Sequence, residues 1–329
     1  MRPLDPDRDR VTLLGLQQTG HPLAVAVSRQ FRTVVYDQDS SRAASLSKEL
    51  AQGGKSSLTA ASIGEAVRGS NVVLTCFTDI HEVAVAFSEL VHTFDSAESA
   101  QKALAGLVWI DFSPGEPGLS FRLAQDMDDQ FLVQLVECAS IGGGRSALHG
   151  SRIVVGCEEE VMERAEPLLR CLGKDPTYVG GCGAAKALRA VHSSLKMTQL
   201  TASLEMLAVV RKLGIDPARA VSAFEGMGLS GGDMLPRVLE DEVLSRRFQS
   251  GESFQDLGYD MDTIGLLCDA RDVSAPVSRA AREAVRGAKH RIGAQADLLE
   301  LARDIEAGSS TTIVAGEHAD EEDEQEEER

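Results

Sequence analysis

The sequence predicts an α/β fold in which an N-terminal doubly wound parallel sheet is followed by an all-helical C-terminal domain. Short apolar runs alternate with helical patterns from residue 11 to residue 180, and strands that alternate with helices form a parallel sheet covered on both faces. A glycine-rich turn follows the first apolar run, between Leu14 and His21. From Gly183 onward the apolar residues recur at helical spacing, which predicts helices alone.

Apolar runs that end in turn residues predict the strands, as at Asn71–Phe77, which stops at Thr78. The predicted strands are 11–14, 33–36, 71–77, 106–112, 131–136 and 151–156, and the helices among them are 21–30, 41–52, 63–67, 80–90, 119–126 and 161–172. The predicted helices of the second half are 183–213, 217–226, 236–243, 254–268, 276–287 and 294–307.

Composition and charge restrict the function classes. The chain has 329 residues, of which 43% are hydrophobic, and six scattered cysteines without a C-x-x-C pair. These features predict a globular protein of the reducing cytoplasm without a metal site. The net charge of −18, without clustered Lys or Arg, argues against binding to nucleic acid or to a membrane surface. No apolar run reaches the roughly 18 residues of a spanning helix.

The first strand and helix resemble the opening of a dinucleotide-binding (Rossmann-like) fold. Gly15 permits a tight turn, Gly20 lets the helix approach the strand, and free N–H groups at the helix start receive a pyrophosphate. Gln17 replaces the usual middle glycine and would crowd that pyrophosphate. Asp37 lies 22 residues after Gly15, where a carboxylate binds the ribose hydroxyls and favours NAD over NADP. Arg42 offers a cation nearby.

Ligands of parallel sheets lie at the carboxyl ends of the strands, so later strand ends are included in the predicted cofactor site. The predicted contacts of NAD or NADP are Gly15, Leu16, Gln17, Gln18, Thr19, Gly20, Asp37, Arg42, Phe77, Thr78, Asp79 and Ser113. The chain is accordingly divided into a disordered start (1–10), a dinucleotide-binding domain (11–180), a helical domain for substrate and dimerisation (181–307) and a disordered acidic tail (308–329).

The predicted helix 183–213 carries two patterns. Its apolar residues predict a buried stripe made of Leu188, Val191, Leu195 and Met206. A different face carries Arg189, His192, Ser193 and Lys196. A polar stripe on a buried helix costs desolvation free energy unless it faces a partner, water or a ligand.

Several short motifs occur in a fixed order between Gly15 and Asp297. They are Gly15-Leu-x-x-x-Gly20-x-Pro-x-Ala24, Cys76-Phe-Thr-Asp79, Asp111-Phe-Ser113, Glu137 to Gly150, Gly183 to Leu195, Tyr259-Asp260 and Gly293-x-x-x-Asp297. In this order they resemble the motifs of the β-hydroxyacid dehydrogenase superfamily, which includes 3-hydroxyisobutyrate and 6-phosphogluconate dehydrogenases, and imine reductases look similar. The resemblance implies hydride transfer with NAD or NADP, a small-molecule substrate that can be acidic, and a homodimer.

The resemblance places Arg189 where the family has its catalytic Lys, with Ser193 at the position of an Asn. A second register places Lys186 there instead, and we prefer Arg189. Arginine holds its proton at neutral pH because its pKa exceeds about 12, so Arg189 is expected to orient a carboxylate or phosphate. His192 is the first candidate proton carrier, followed by Tyr259, which replaces a second Lys, and by Asp260.

The resemblance also implies a substrate pocket lined by Ser113, Ile141, Gly142, Gly143 and Ser193. Ile141 replaces a serine and thereby removes a hydrogen-bond donor. Two hypotheses follow. The chain is an oxidoreductase with an atypical site, acting on a small carbonyl, hydroxyl or imine carbon, or it is an inactive relative that serves as a binding or scaffold protein. Cys138 and Cys182 are interpreted as packing residues.

Overall fold

The computed structural model describes residues 2–16, 20–52, 57–141, 152–226 and 238–316. The chain forms two compact units, Met1–Arg189 and Ala190–Arg329. The division falls inside one long helix, Ala184–Lys212, and not at the predicted boundary between residues 180 and 181. The acidic run 318–329 lies outside the described residues.

The described part of the N-terminal unit contains one eight-stranded sheet. Its strands are β1 (Arg10–Leu14), β2 (Arg32–Tyr36), β3 (Ser57–Thr59), β4 (Val72–Thr75), β5 (Val108–Asp111), β6 (Gln134–Ile141), β7 (Arg152–Gly156) and β8 (Lys174–Gly180). Their order is β3-β2-β1-β4-β5-β6-β7-β8, and all neighbours are parallel except the β6–β7 pair. The strand order reverses at β1, which creates the crevice where such sheets bind ligands.

Helices cover both faces of this sheet. They are α1 (Gly20–Ser28), α2 (Ser40–Gln52), α3 (Ile63–Val67), α4 (Ile80–Val91), α5 (Ala97–Leu104), α6 (Pro117–Phe131) and α7 (Glu159–Leu172). Adjacent residues of β1 point to opposite faces, so Leu13 belongs to one apolar core and Leu14 to the other. The doubly wound sheet predicted from the sequence is confirmed.

The first residues of the chain are packed, in contrast to the disorder predicted for residues 1–10. Leu4 is buried in the core, and its N–H donates to the Arg164 carbonyl at 3.0 Å. The Arg2 guanidinium donates to both carboxylate oxygens of buried Asp9 at 2.7 Å. One apolar anchor and one two-pronged ion pair order a segment whose composition alone predicts disorder.

The C-terminal unit is built from helices. After α8 (Ala184–Lys212), which enters it from the first unit, come α9 (Pro217–Gly226), α10 (Phe254–Ala270), α11 (Pro276–Ile292) and α12 (Leu301–Ser309). A π-helical turn at Leu239–Leu244 and a 3₁₀ turn at Leu298–Glu300 complete the described elements. No helix in the described ranges is both long enough and apolar enough to cross a membrane.

The buried face of α8 differs from the predicted one. The residues predicted as its buried stripe are all exposed, with exposed fractions of 39% for Leu188, 46% for Val191, 57% for Leu195 and 53% for Met206. The core of the C-terminal unit instead takes Met197, Leu200, Leu204 and Leu207 from this helix. The prediction was wrong because α8 carries apolar residues on two faces, and spacing alone does not tell which face is buried.

Candidate functional site

The turn after β1 has the close packing that its glycines predict. Gly15 has φ +85°, and a Cβ atom there would lie 2.6 Å from the Cys76 carbonyl oxygen. A Cβ atom at Gly20 would overlap the carbonyl group of Gly15, whose carbon would be 3.0 Å away. Both positions therefore exclude a side chain, as a nucleotide-binding turn requires. The predicted contacts Gln17, Gln18 and Thr19 lie outside the described residues.

Asp37 connects the end of β2 to this turn. Its Oδ2 accepts the Leu16 N–H at 2.7 Å, and its Oδ1 accepts the Asp39 N–H at 2.9 Å. The Arg42 guanidinium lies 3.4 Å from the same Oδ1, and Asp37 is buried. A carboxylate has about four lone-pair positions, so these three donors leave room for one more. The Asp37 carboxylate, which is predicted to bind the ribose, is thus held in a fixed orientation beside a cation.

The loops after β4 and β5 are joined through Ser113. The Phe77 N–H donates to Ser113 Oγ at 2.9 Å, and the Ser113 N–H donates to Asp111 Oδ1 at 3.0 Å. Ser113, predicted to contact both cofactor and substrate, is almost fully buried, with an exposed fraction of 1%. Its hydroxyl therefore fixes the Phe77 loop at the edge of the crevice.

Thr78 and Asp79 lie in the same loop, and their side chains form hydrogen bonds with the first turn of α4. Asp79 caps that helix, with its carboxylate accepting the His81 N–H at 2.7 Å. The Thr78 hydroxyl donates to the Glu82 carboxylate.

Of the residues predicted to line the substrate pocket, Ile141, at the end of β6, is half-buried against a small apolar cluster, while Gly142 and Gly143 lie outside the described residues.

Lys186 is buried in the N-terminal unit, and the sequence did not predict this burial. Its Nζ donates to Asp111 Oδ2 at 2.9 Å and to Ser120 Oγ at 2.8 Å. The other Asp111 oxygen accepts the Thr75 hydroxyl at 2.9 Å. Because this ammonium is bonded to protein groups and shielded from solvent, the register that makes Lys186 the proton carrier loses support, and Arg189 remains the candidate.

Glu137 of β6 caps the first turn of α8. Its carboxylate accepts the Gly183 N–H at 3.0 Å and the Lys186 N–H at 2.9 Å. Burial raises the pKa of Glu137 above its usual value, and the nearby Lys186 ammonium opposes that rise only in part. A carboxylate at the positive end of the helix satisfies N–H groups that would otherwise have no partner.

The polar face of α8 in the C-terminal unit forms a second group. Ser193 Oγ donates to Asp260 Oδ2 at 2.7 Å, and both residues are buried. Lys196 forms an ion pair with Glu252. His192 is half-buried beside them. Burial and the Lys196 ammonium lower the pKa of His192 below its usual value of 6.5, and the carboxylates of this group oppose the shift only in part.

The remaining predicted residues have less defined roles. Arg189 is half-buried in the first unit and Tyr259 is half-buried beside Asp260 in the second.

Burial raises the pKa of the Cys182 thiol to about 12 and that of Cys138 well above its usual value, so neither thiol is ionised at neutral pH. Among the described residues, no group of three potential ligand side chains could hold a metal ion.

The two units match two sequence families. Residues 10–181 match the family described as the NAD binding domain of 6-phosphogluconate dehydrogenase. Residues 183–305 match the family described as NAD-binding of NADP-dependent 3-hydroxyisobutyrate dehydrogenase. The first match alone spans more than half of the 329 residues.

Relatives with curated names match over part of their length. The 2-hydroxy-3-oxopropionate reductase of Escherichia coli is 30% identical over 155 residues, which are 45% of this chain and 50% of that protein. Human mitochondrial 3-hydroxyisobutyrate dehydrogenase is 24% identical over 156 residues, 46% of each chain. The chain thus spans about half the length of these relatives.

Solved structures share the fold along most of the chain. The 3-hydroxyisobutyrate dehydrogenase of Mycobacterium tuberculosis, solved with L-serine, has a TM-score of 0.77 and 17% identity, covering 90% of this chain and 99% of that one. An imine reductase from Myxococcus stipitatus in complex with NADP+ has a TM-score of 0.54 and 20% identity, covering 89% and 99%. Together with the family matches, these findings show that the chain belongs to the β-hydroxyacid dehydrogenase superfamily and carries its NAD(P)-binding domain.

Proposed function

We propose that the protein is an NAD(P)-dependent oxidoreductase with an atypical active site, acting on a small carbonyl, hydroxyl or imine substrate. The observation that carries the proposal is the turn at Gly15 and Gly20, where a Cβ atom would meet backbone at both positions. Such a cradle fits the pyrophosphate of a dinucleotide. When bound, the nicotinamide supplies or accepts the hydride.

Residues of α8 provide the two remaining functions, which are to orient the substrate and to transfer its proton. Arg189 keeps its positive charge and orients an acidic group of the substrate. His192, three residues further along, has a lowered pKa and is therefore uncharged at neutral pH. A neutral imidazole accepts the proton of a substrate hydroxyl during oxidation and returns it during reduction. Ser193 and Asp260 hold each other in this group and support its geometry.

We assign NAD as the preferred cofactor, on the basis of Asp37. Its fixed carboxylate accepts a ribose hydroxyl and repels a 2′-phosphate, while the neighbouring Arg42 reduces that repulsion. The free thiols of all six cysteines are consistent with a reducing cytoplasmic location.

A titration of the purified protein with NADH and with NADPH, followed by nicotinamide fluorescence, tests the proposal. Binding of either cofactor supports an oxidoreductase, and tighter binding of NADH supports the assignment to Asp37. If neither binds at millimolar concentration, the protein is the alternative, a family member without activity that serves as a binding or scaffold protein. That alternative is favoured by Gln17, Ile141 and Tyr259, which replace family residues.

We also propose a homodimer formed through α8. The exposed apolar residues of this helix follow the three-and-four spacing of a packing surface, which we call the α8 stripe: Leu188, Val191, Leu195, Met206 and Val209. Exposed large apolar side chains in both halves of a 29-residue helix mark an interaction surface. A second copy of the chain is the occupant that the family resemblance implies.

A further inference from the structure

Lys196 lies one helical turn after His192 on the polar face of α8, and both side chains are half-buried. Side chains four residues apart on a helix are neighbours, with about 5–6 Å between their Cβ atoms. Neither the family motifs nor the proposed reaction gives Lys196 a role. An ammonium beside a half-buried imidazole disfavours the charged form of that imidazole. Lys196 is therefore placed to act on the protonation state of His192.

The Lys196 ammonium has a fixed partner in the segment that precedes α10. Its Nζ donates to a carboxylate oxygen of Glu252. The two side chains have exposed fractions of 31% and 24%, so most of the pair is shielded from solvent. A lysine side chain that makes no such contact moves among many rotamers. The contact with Glu252 restricts the ammonium to one place beside the imidazole.

The segment that carries Glu252 is itself held by Asp297, the acid of the last sequence motif. The Ser250 hydroxyl donates to the Asp297 carboxylate, with its oxygen 2.8 Å from Oδ1 and 2.9 Å from Oδ2. The Leu298 N–H donates to the Glu252 carbonyl at 3.0 Å. These contacts fix the backbone at Glu252, so its carboxylate stays within reach of the Lys196 ammonium.

The charge state of His192 depends on its burial and on charges from three neighbouring elements. Burial lowers the pKa of His192, and the Lys196 ammonium of α8 lowers it further. Glu252, before α10, and Asp260, within α10, oppose this shift in part. Loss of the cation and loss of the Glu252 charge should consequently move the pKa of His192 in opposite directions.

We infer that Lys196 is a positioning residue that keeps the His192 imidazole neutral, and that Glu252 holds the Lys196 ammonium in place for this role. The inference rests on the proposed function, in which His192 carries the proton. A neutral imidazole has a free lone pair, which a base needs in order to accept the proton of a substrate hydroxyl. Lys196 does not exchange that proton itself, because its ammonium is bonded to Glu252.

Nuclear magnetic resonance titration of the histidine side chains in the full chain tests the inference, with the His192 signal assigned by its loss in His192→Ala. Lys196→Met removes the cation and should shift the titration midpoint of His192 upward, whereas Lys196→Arg retains a cation and should stay close to the wild type. Glu252→Gln keeps an acceptor for the ammonium but removes the negative charge, so the midpoint should shift downward. The acid limb of kcat/KM for alcohol oxidation should move with the midpoint.

Lys212→Met and Glu205→Gln are the matched controls for the two charge removals. Both residues are exposed on α8, the same helix as His192, but they lie more than three helical turns away from it. Neither control should shift the His192 midpoint. A shift in either control equal to that of its partner variant would overturn the inference, because it would reflect the net charge of the chain.

Opposite shifts in Lys196→Met and Glu252→Gln support the inference, because a general loosening of the fold would expose the imidazole and move both midpoints the same way. Unchanged midpoints, or shifts in one direction, would overturn it. The titration needs no turnover, so opposite shifts combined with an unchanged rate in His192→Ala would support the effect of Lys196 and overturn only the role of His192. Circular dichroism shows whether each variant is folded, and Glu252→Gln keeps the test decisive if Lys196→Met does not fold.

Discussion

Lys186 Nζ donates to Asp111 Oδ2 at 2.9 Å, and the two side chains have exposed fractions of 4% and 0%. The pair connects the first turn of α8 to the end of β5. Breaking a buried ion pair by removing one partner is strongly destabilising, because the other charge is left uncompensated. The stability of the N-terminal unit therefore depends on this contact.

Lys186→Met is expected to lower the free energy of unfolding by about 3–5 kcal/mol, because it leaves the Asp111 carboxylate buried without a cation. Lys186→Met combined with Asp111→Asn removes both charges and should recover a large part of that loss. Urea denaturation followed by circular dichroism measures both values. If the double variant is less stable than the single one, the pair is not the source of the effect.

His192→Ala is expected to lower kcat by roughly 10²-fold or more if His192 carries the proton. The wild-type kcat/KM for alcohol oxidation should fall only as the pH drops below 6.5, because the pKa of His192 is lowered and its neutral form is the base. The variant should lack this acid limb. His290→Ala, at the exposed end of α11, is the control. An unchanged rate would exclude His192 as the proton carrier.

Asp37→Asn is expected to raise the ratio of NADPH to NADH affinity by about tenfold or more, because it removes the repulsion of a 2′-phosphate. The amide oxygen still accepts a backbone N–H, so the turn at Leu16 is retained. Fluorescence titration with both cofactors measures the ratio. Arg42→Ala should change the ratio in the opposite direction, and the same direction in both variants would contradict the assignment.

Leu195→Glu and Met206→Glu place a charge on the α8 stripe and are expected to convert the dimer into monomers. Size-exclusion chromatography with light scattering gives the mass of each variant. Val85→Glu is a matched control, because Val85 is 55% exposed in α4 of the other unit. A wild-type chain that is monomeric at all concentrations would rule out the proposed dimer.

The sequence predicted the strand, turn and helix around Gly15 and Gly20 because its signals are local. Gly15, Gly20 and Asp37 lie close together along the chain, and fixed spacing links them to one strand-helix-strand unit. Short elements with weak apolar patterns were missed, among them β3, α5 and β8. The strand β8, at the edge of the sheet, contains Pro176 and alternates poorly, so it has no strand signature.

The Lys186 contact could not be predicted because its partners are distant in sequence. Asp111 is 75 residues away, and one sequence does not show which charges meet. A signal was nevertheless present. Asp111 and Glu137 both follow apolar runs and should be buried, and a buried carboxylate needs a cation or a hydrogen-bond donor. The prediction that Leu188, Val191, Leu195 and Met206 are buried was wrong for a different reason, because the helix has two apolar faces.

The cap that Glu137 provides for α8 affects how the chain can be recombined. The boundary between the two family matches, near residue 181, suggests a natural point for exchanging halves with a relative. However, the Glu137 carboxylate accepts hydrogen bonds from the Gly183 and Lys186 N–H groups. A hybrid joined before Gly183 would place two buried carboxylates, those of Glu137 and Asp111, opposite a foreign helix start. Hybrids that keep this sheet together with the helix up to Arg189 should express as folded protein, whereas those joined earlier should aggregate.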